Sequence, residues 1–185
     1  MKAKSGKAQD LIDTKFLEDR RIFLWGEVND KTAKHVIEHL LYLDSESDKE
    51  IQFFINSPGG FVTDGFAMYD TMVSLNSPVS TICSGLAASM GSILLSGGTK
   101  GRRFIQPLAK VMIHQPSGGA RGQASNIEIQ AAEILKIRDL SAKIIAENCG
   151  QPIEKVLKDF NRDYWMDADE SIKYGIVDGV FKNKK

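Results

Sequence analysis

The chain has 185 residues, enough for about one domain, and a second hydrophobic core would be cramped at that length. Apolar residues make up 42% and charged residues 26%, close to the globular average, which sets aside intrinsic disorder and coiled coil. Lys plus Arg and Asp plus Glu number 24 each, so the basic excess that a nucleic-acid backbone calls for is missing. No apolar run approaches the roughly 20 residues needed to span a bilayer, and residues 1–10 carry three lysines but no apolar stretch of a secretory signal. Cys83 falls inside a hydrophobic run and Cys149 near a helix end, and both read as reduced packing residues. A soluble, cytoplasmic, single-domain protein is expected, with no partner in nucleic acid or membrane.

Residues 1–12 are polar without a sustained period, and residues 1–20 read as a flexible amino-terminal arm before a domain at 21–185. Residues 21–28 read as a buried strand. A helix over 32–43 places Val36, Ile37, Leu40, Leu41 and Leu43 on one stripe, and 51–56 is a second buried strand halted by Ser57-Pro58-Gly59-Gly60. A helix over about 62–75 stops at Asn76-Ser77-Pro78. The alternation repeats with a strand at 79–83, a tight turn at Ser84-Gly85 and an apolar helix at 87–95. Two strands follow at 103–105 and 110–113, then a glycine-rich loop over 117–122.

Beyond the loop lies the longest helical pattern, about 124–148, ended by Gly150 and Pro152. Its length exceeds what a compact domain needs, which predicts a protruding element with its apolar face covered by another subunit. A short helix at 152–160, a strand at 164–166, a capping-box start at Asp167-Ala168-Asp169-Glu170 and a strand at 176–181 complete the chain. Strands separated by helices predict an α/β fold of repeated βαβ units with a mainly parallel sheet.

Three segments that end strands carry candidate chemistry. In Gly85-Leu86-Ala87-Ala88-Ser89-Met90-Gly91 a serine stands between strand and helix, near the positive end of a helix dipole, among residues small enough to admit a carbonyl. The segment is a relaxed relative of the G-x-S-x-G elbow, and it equally fits tight packing of a helix on a sheet. The glycine pair in Ser57-Pro58-Gly59-Gly60 exposes backbone N–H groups that can cradle an oxyanion, or makes an ordinary turn. His114 closes a strand and suits a general base. A parallel sheet brings all three to its carboxyl edge, where α/β folds place their ligands. Asp163 could orient an imidazole, although Asp159, Asp167 and Asp169 lie close by. His35-Val36-Ile37-Glu38-His39 fits the H-x-x-E-H zinc pattern, but no third ligand motif accompanies it, and a solvated helix flank accounts for both histidines.

Several ordered strings carry a resemblance. They are I-N-S-P-G-G at 55–60, Y-D-T-M at 69–72, S-T-I-C-x-G-x-A-A-S-M-G at 80–91, M-I-H-Q-P-S-G-G at 112–119, G-Q-A-S-x-I-E-I-Q-A at 122–131, R-D at 162–163 and Y-G-I-V-D at 174–178. Over roughly 21–181 the chain resembles the Clp protease proteolytic subunit, the ClpP family of serine peptidases. That resemblance implies a ClpP/crotonase fold whose long helix is a handle between two stacked heptameric rings. It implies Ser89 as nucleophile, His114 as base and Asp163 as its orienting carboxylate, with an oxyanion hole at the N–H groups of Gly60 and Met90. Gly59, Gly118 and Gly119 would line substrate, the loop as an extra strand, and Gln123 and Arg162 would lie at contacts between rings. No metal or cofactor is implied. An AAA+ unfoldase such as ClpX, ClpA or ClpC would deliver unfolded polypeptide and would itself bind the ATP. The family's usual apolar amino-terminal stretch is not recognisable in residues 1–12, which keeps open a mixed ring with a paralogous subunit. A crotonase-type acyl-CoA enzyme and a non-catalytic scaffold subunit are the readings from other classes.

Overall fold

The computed structural model describes residues 2–119 and 121–182, with side chains from residue 8 onward. Met1 of the expected arm, Ala120 of the glycine-rich loop and residues 183–185 of the expected domain lie outside the described residues. The chain runs α1 (Lys2–Glu18), β1 (Arg21–Trp25), α2 (Asp30–Glu46), β2 (Ile51–Ser57), α3 (Val62–Ser74), β3 (Val79–Ala88) and α4 (Met90–Ser96). It continues through β4 (Arg103–Ile105), β5 (Lys110–Ile113), α5 (Ala124–Cys149), α6 (Ile153–Asp159), β6 (Tyr164–Met166), α7 (Ala168–Tyr174) and β7 (Gly179–Val180).

The strands form one sheet in the order β1-β2-β3-β4-β7, parallel throughout, with β5 parallel to β3 and β6 antiparallel to β5. Along β2 the side chains of Ile51, Phe53, Ile55 and Ser57 are fully buried while their alternates are half-buried, so the helices cover one sheet face more completely. The other face carries an aromatic row in which Phe23 stacks on Phe54 at 5.3 Å and Phe54 meets Phe181 edge-on at 5.8 Å.

Helix α2 buries Ala33, Val36, Leu40 and Leu43, spaced as one helical face requires. Leu41 of the predicted stripe is instead half exposed, one residue round the helix from Leu40. An Asn29–Thr32 capping box starts this helix, and Arg20, itself at φ 55°, ends it by donating to the carbonyls of Leu43, Ser47, Lys49 and Glu50.

Three expectations are corrected. Residues 2–18 form a helix, not an irregular arm; its last turn packs Phe16 edge-on to Phe23 at 4.8 Å, a tertiary contact that composition does not reveal. Ser84-Gly85 is not a tight turn, and Ala87 and Ala88 are not helical. Strand β3 runs through all four residues, because Ala87 and Ala88 pair with Val111 and Met112 of β5. Gly85, at φ 90°, absorbs the irregularity where the β2–β3 register shifts. The last strand is two residues, not the stretch 176–181; Ile176 and Val177 are buried in the turn before it.

Both cysteines are free, and burial pushes each thiol up to about 12, which keeps them protonated packing groups. The sheet's far edge is tied to the end of α5 by Arg103, which donates to both oxygens of Asp178 and to the carbonyl of Asn148. Burial works against the Asp178 charge, but the side-chain and backbone hydrogen bonds from Arg103 outweigh it and hold that carboxyl below the usual carboxylate range. Asp178→Ala would leave a guanidinium that is 5% exposed without its partner. A loss of about 3 kcal/mol in urea unfolding at neutral pH is expected. With the folded-state pKa depressed, that stabilisation is complete above the ordinary carboxylate range and fades as pH falls through the lowered value, so wild type and variant converge in acid.

Candidate active site

The central strand ends at Ala88 and α4 starts at Met90, leaving Ser89 alone between them at φ 53°, ψ −123°. A non-glycine residue there is strained by on the order of 1–3 kcal/mol, and its neighbours hold it in place. Ser89 donates its backbone N–H to Met112 of β5 at 2.9 Å, and its carbonyl accepts from the backbone of Ser92 at 2.9 Å and from the Ser92 hydroxyl at 2.6 Å. Gly59 presses against the same turn. A Cβ at Gly59 would stand 2.6 Å from Ser89 Cβ and 2.9 Å from Met90 N, so only glycine fits. Across the helix, a Cβ at Gly91 would come within 3.1 Å of the Ser57 carbonyl, which explains the small residues flanking the serine.

His114 follows the last residue of β5, and its Nε2 lies 2.9 Å from Ser89 Oγ. Its Nδ1 lies 3.2 Å from Asp163 Oδ1. The ladder explains the second contact. Strands β5 and β6 pair antiparallel with Ile113 opposite Tyr164, so one residue further on the same register sets His114 opposite Asp163. A backbone bond from Gln115 N–H to the Phe160 carbonyl, at 2.9 Å, ties the two loop ends together. The neighbouring aspartates are engaged elsewhere: Asp159 with Lys155 and Tyr174, and Asp167 as the N-cap of α7. The row Ser89–His114–Asp163 is partly open, with the His114 side chain 25% exposed and that of Asp163 60% exposed.

Gly60 and Met90 line a narrow cleft of about 60 Å³ together with Ser89 and His114. Met90 is the first residue of α4, so its N–H has no helical acceptor, and no described residue accepts from Gly60 N–H either. Gly59, expected to line substrate, sits in the turn beneath Ser89. It is buried, donates to Ser57 Oγ at 3.1 Å and accepts from Val28 N–H at 2.8 Å, so both backbone groups are spent in shaping the turn. A wider cleft of about 640 Å³ adjoins at His114 and is lined by Gly118, Ile134, Arg162 and Asp163. Gly118 sits against Ile134 of α5, Gly119 faces open space, and residues 114–119 are irregular with no strand partner among the described residues. Gln123 is the exposed N-cap of α5, and Arg162 is exposed and makes no ion pair among the described residues.

The rings of His35 and His39 lie 4.1 Å apart between centroids and tilted by 47°, with His39 Nδ1 2.6 Å from the His35 carbonyl oxygen. Among the described residues no group of three or more His, Cys, Asp and Glu could hold a metal ion, and no helix is long and apolar enough to cross a membrane. Phe160 and Ser141 also line the narrow cleft, and neither carried a sequence signal. One ends a short helix and the other lies inside a long one, where nothing local marks a residue as facing a site.

An α/β fold that sets a strained serine beside an imidazole at the carboxyl edge of a parallel sheet has the layout of a serine hydrolase. A family model described as Clp protease matches residues 4–184. The chain belongs to the Clp protease family, whose fold this is and whose members are ClpP-type serine peptidases.

The strain at Ser89 gives a direct prediction. Ser89→Gly should raise the unfolding free energy by about 1 kcal/mol, the relief of positive φ less the extra freedom of glycine in the unfolded chain. Denaturant unfolding would detect it, and a loss of stability would contradict the strain.

Proposed function

We propose that this chain is a self-compartmentalised serine endopeptidase, of the endopeptidase Clp type, that hydrolyses peptide bonds in unfolded proteins. The observation that carries the reading is the continuous hydrogen-bonded row from Ser89 Oγ through His114 to Asp163. Ser89 Oγ attacks the scissile carbonyl while His114 Nε2 takes its proton. The negative charge that develops on the carbonyl oxygen is met by the unpaired N–H groups of Gly60 and Met90. Collapse of the tetrahedral intermediate breaks the C–N bond, and His114 returns the proton to the leaving amine. Water, activated by the same imidazole, then releases the acyl group from Ser89. Asp163 holds Nδ1–H and stabilises the imidazolium in both halves. A crotonase-type acyl-CoA enzyme would share a two-N–H hole but has no use for this serine and its hydrogen-bonded base.

The assembly reading rests on α5. Its first half stands clear of the domain, with Ile129 68% and Leu135 51% exposed, an apolar cost that a neighbouring subunit would remove. Two stacked heptamers, with α5 as the handle and Gln123 and Arg162 at the ring-to-ring contact, suit that geometry. Gly118 and Gly119, in an unpaired segment beside the site, suit a loop that adds substrate as an extra strand. An AAA+ unfoldase such as ClpX, ClpA or ClpC would supply unfolded polypeptide, in the cytoplasm. The polar residues 1–12, in which the family's usual apolar stretch is not recognisable, motivate a second reading, in which the chain works in a mixed ring with a paralogue.

Peptide mapping after treatment with an alkyl fluorophosphonate tests the chemistry. Labelling is expected at Ser89, absent in Ser89→Ala and His114→Ala, and slowed about a hundredfold in Asp163→Asn, whose partly hydrated carboxylate is less critical than a buried one. Native mass measurement separates the assemblies: fourteen copies of one chain support the homomeric ring, and smaller species that grow only with a paralogue support the mixed one.

A further inference from the structure

The narrow cleft beside Ser89 is lined by a buried serine to which the proposed chemistry gives no task. Ser141, in the buried second half of α5, is 3% exposed and lines that cleft. Its Oγ makes no hydrogen bond with any described residue. The nearby serines on α4 behave differently: Ser92 returns its hydroxyl to the Ser89 carbonyl at 2.6 Å, and Ser96 returns its own to Ile93 at 2.8 Å. The hydroxyls of Ser84 and Ser171 are unpaired but sealed inside the fold, whereas Ser141 is a residue of the cleft lining.

The surroundings define what would satisfy it. Val62, Met90, Ile93, Pro116 and Phe160 make apolar walls, Ser117 is exposed to water, and His114 is the one titratable group among the lining residues. A charged side chain entering there would lose its water without gaining a counter-charge. A hydrocarbon side chain would fill the walls but leave the buried hydroxyl unpaired, the condition under which polar pockets reject apolar ligands. A neutral side chain with an apolar stem and a hydrogen-bonding tip meets both demands. The volume, about 60 Å³, admits a slender chain and not an indole.

Attack by Ser89 seats the side chain on the acyl side of the scissile bond in this cleft, and we propose that Ser141 makes the cleft select glutamine above leucine. The inference rests on reading Ser89 as the nucleophile. Ser141 is a specificity residue, with no part in bond making.

Two peptidyl diphenyl phosphonates, identical except for a glutamine or leucine side chain at the phosphonate residue, test it on the purified, assembled protein. Each forms an Ser89 Oγ–P bond with loss of phenol, and intact mass gives the labelling rate. The glutamine-to-leucine rate ratio should exceed one in wild type and fall about three- to tenfold in Ser141→Ala, the effect of one neutral hydrogen bond. It should persist in Ser141→Thr, which keeps the hydroxyl, and an alkyl fluorophosphonate, which brings no peptide side chain to the cleft, reports in each protein whether Ser89 is reactive. A wild type that prefers leucine, or a ratio unchanged by Ser141→Ala, overturns the role of Ser141 and leaves the peptidase reading intact. Failure of every reagent to label Ser89 overturns the peptidase reading, and the pocket assignment with it.

Discussion

Between the central strand and α4 the backbone must turn within one residue, and that residue is a serine held at positive φ. The strain is met by backbone contacts from three directions: the Met112 carbonyl of β5, the first N–H groups of α4 and the close face of Gly59. None of these contacts tolerates a bulky neighbour. The glycines and alanines around Ser89 are the steric consequence of fixing one hydroxyl at the sheet edge. Preorganisation of this kind keeps the Ser89 hydroxyl from relaxing away from the His114 imidazole, at a cost in stability borne by the core around it.

Strand β3 distributes the rest of the site. Its first half pairs with β4 and its second half with β5, and the change of partner falls around Gly85. Because β5 joins at that second half, its end reaches Ser89 and delivers His114. Because β6 returns antiparallel along β5, Asp163 arrives opposite His114 with no further device. On the far side, the Arg103–Asp178 pair locks β4 and the last turn before β7 to the end of α5.

The open side of the site is the side from which α5 projects. Ile134 of that helix borders the wider cleft, and Asp163 is well exposed beside it. A single chain leaves this region half solvated, where charge interactions are weakened by water. Enclosure by neighbouring subunits would strengthen the His114–Asp163 interaction and cover the apolar residues of α5 together. In the proposed assembly, oligomerisation and catalytic competence are therefore linked through one helix.

Much of this was legible in order of residues. The alternation of strands and helices, the strands at 103–105, 110–113 and 164–166, the long helix and the capping box at Asp167 all follow from local pattern, because side-chain period and terminal chemistry are set by near neighbours. The helical state of residues 2–18 was not legible, since it depends on Phe16 meeting a strand face. Nor was the continuity of β3 through Ser84-Gly85 and Ala87-Ala88, where ladder bonds to β5 outweigh turn and helix signals. Motif alone marked Ser89 and His114 as candidates, and left Asp163 among several nearby aspartates. The register of β5 against β6 sets Asp163 beside His114. The buried turn at Gly59, and the place of Ser141 in the cleft lining from far along the chain, are likewise products of folding. Sequence by itself determined which segments could be strands, helices and reactive turns, because those depend on local sterics and hydrogen bonding. Only the tertiary structure decided which side chains share one small volume, because that depends on strand order, register and the packing of residues distant in sequence.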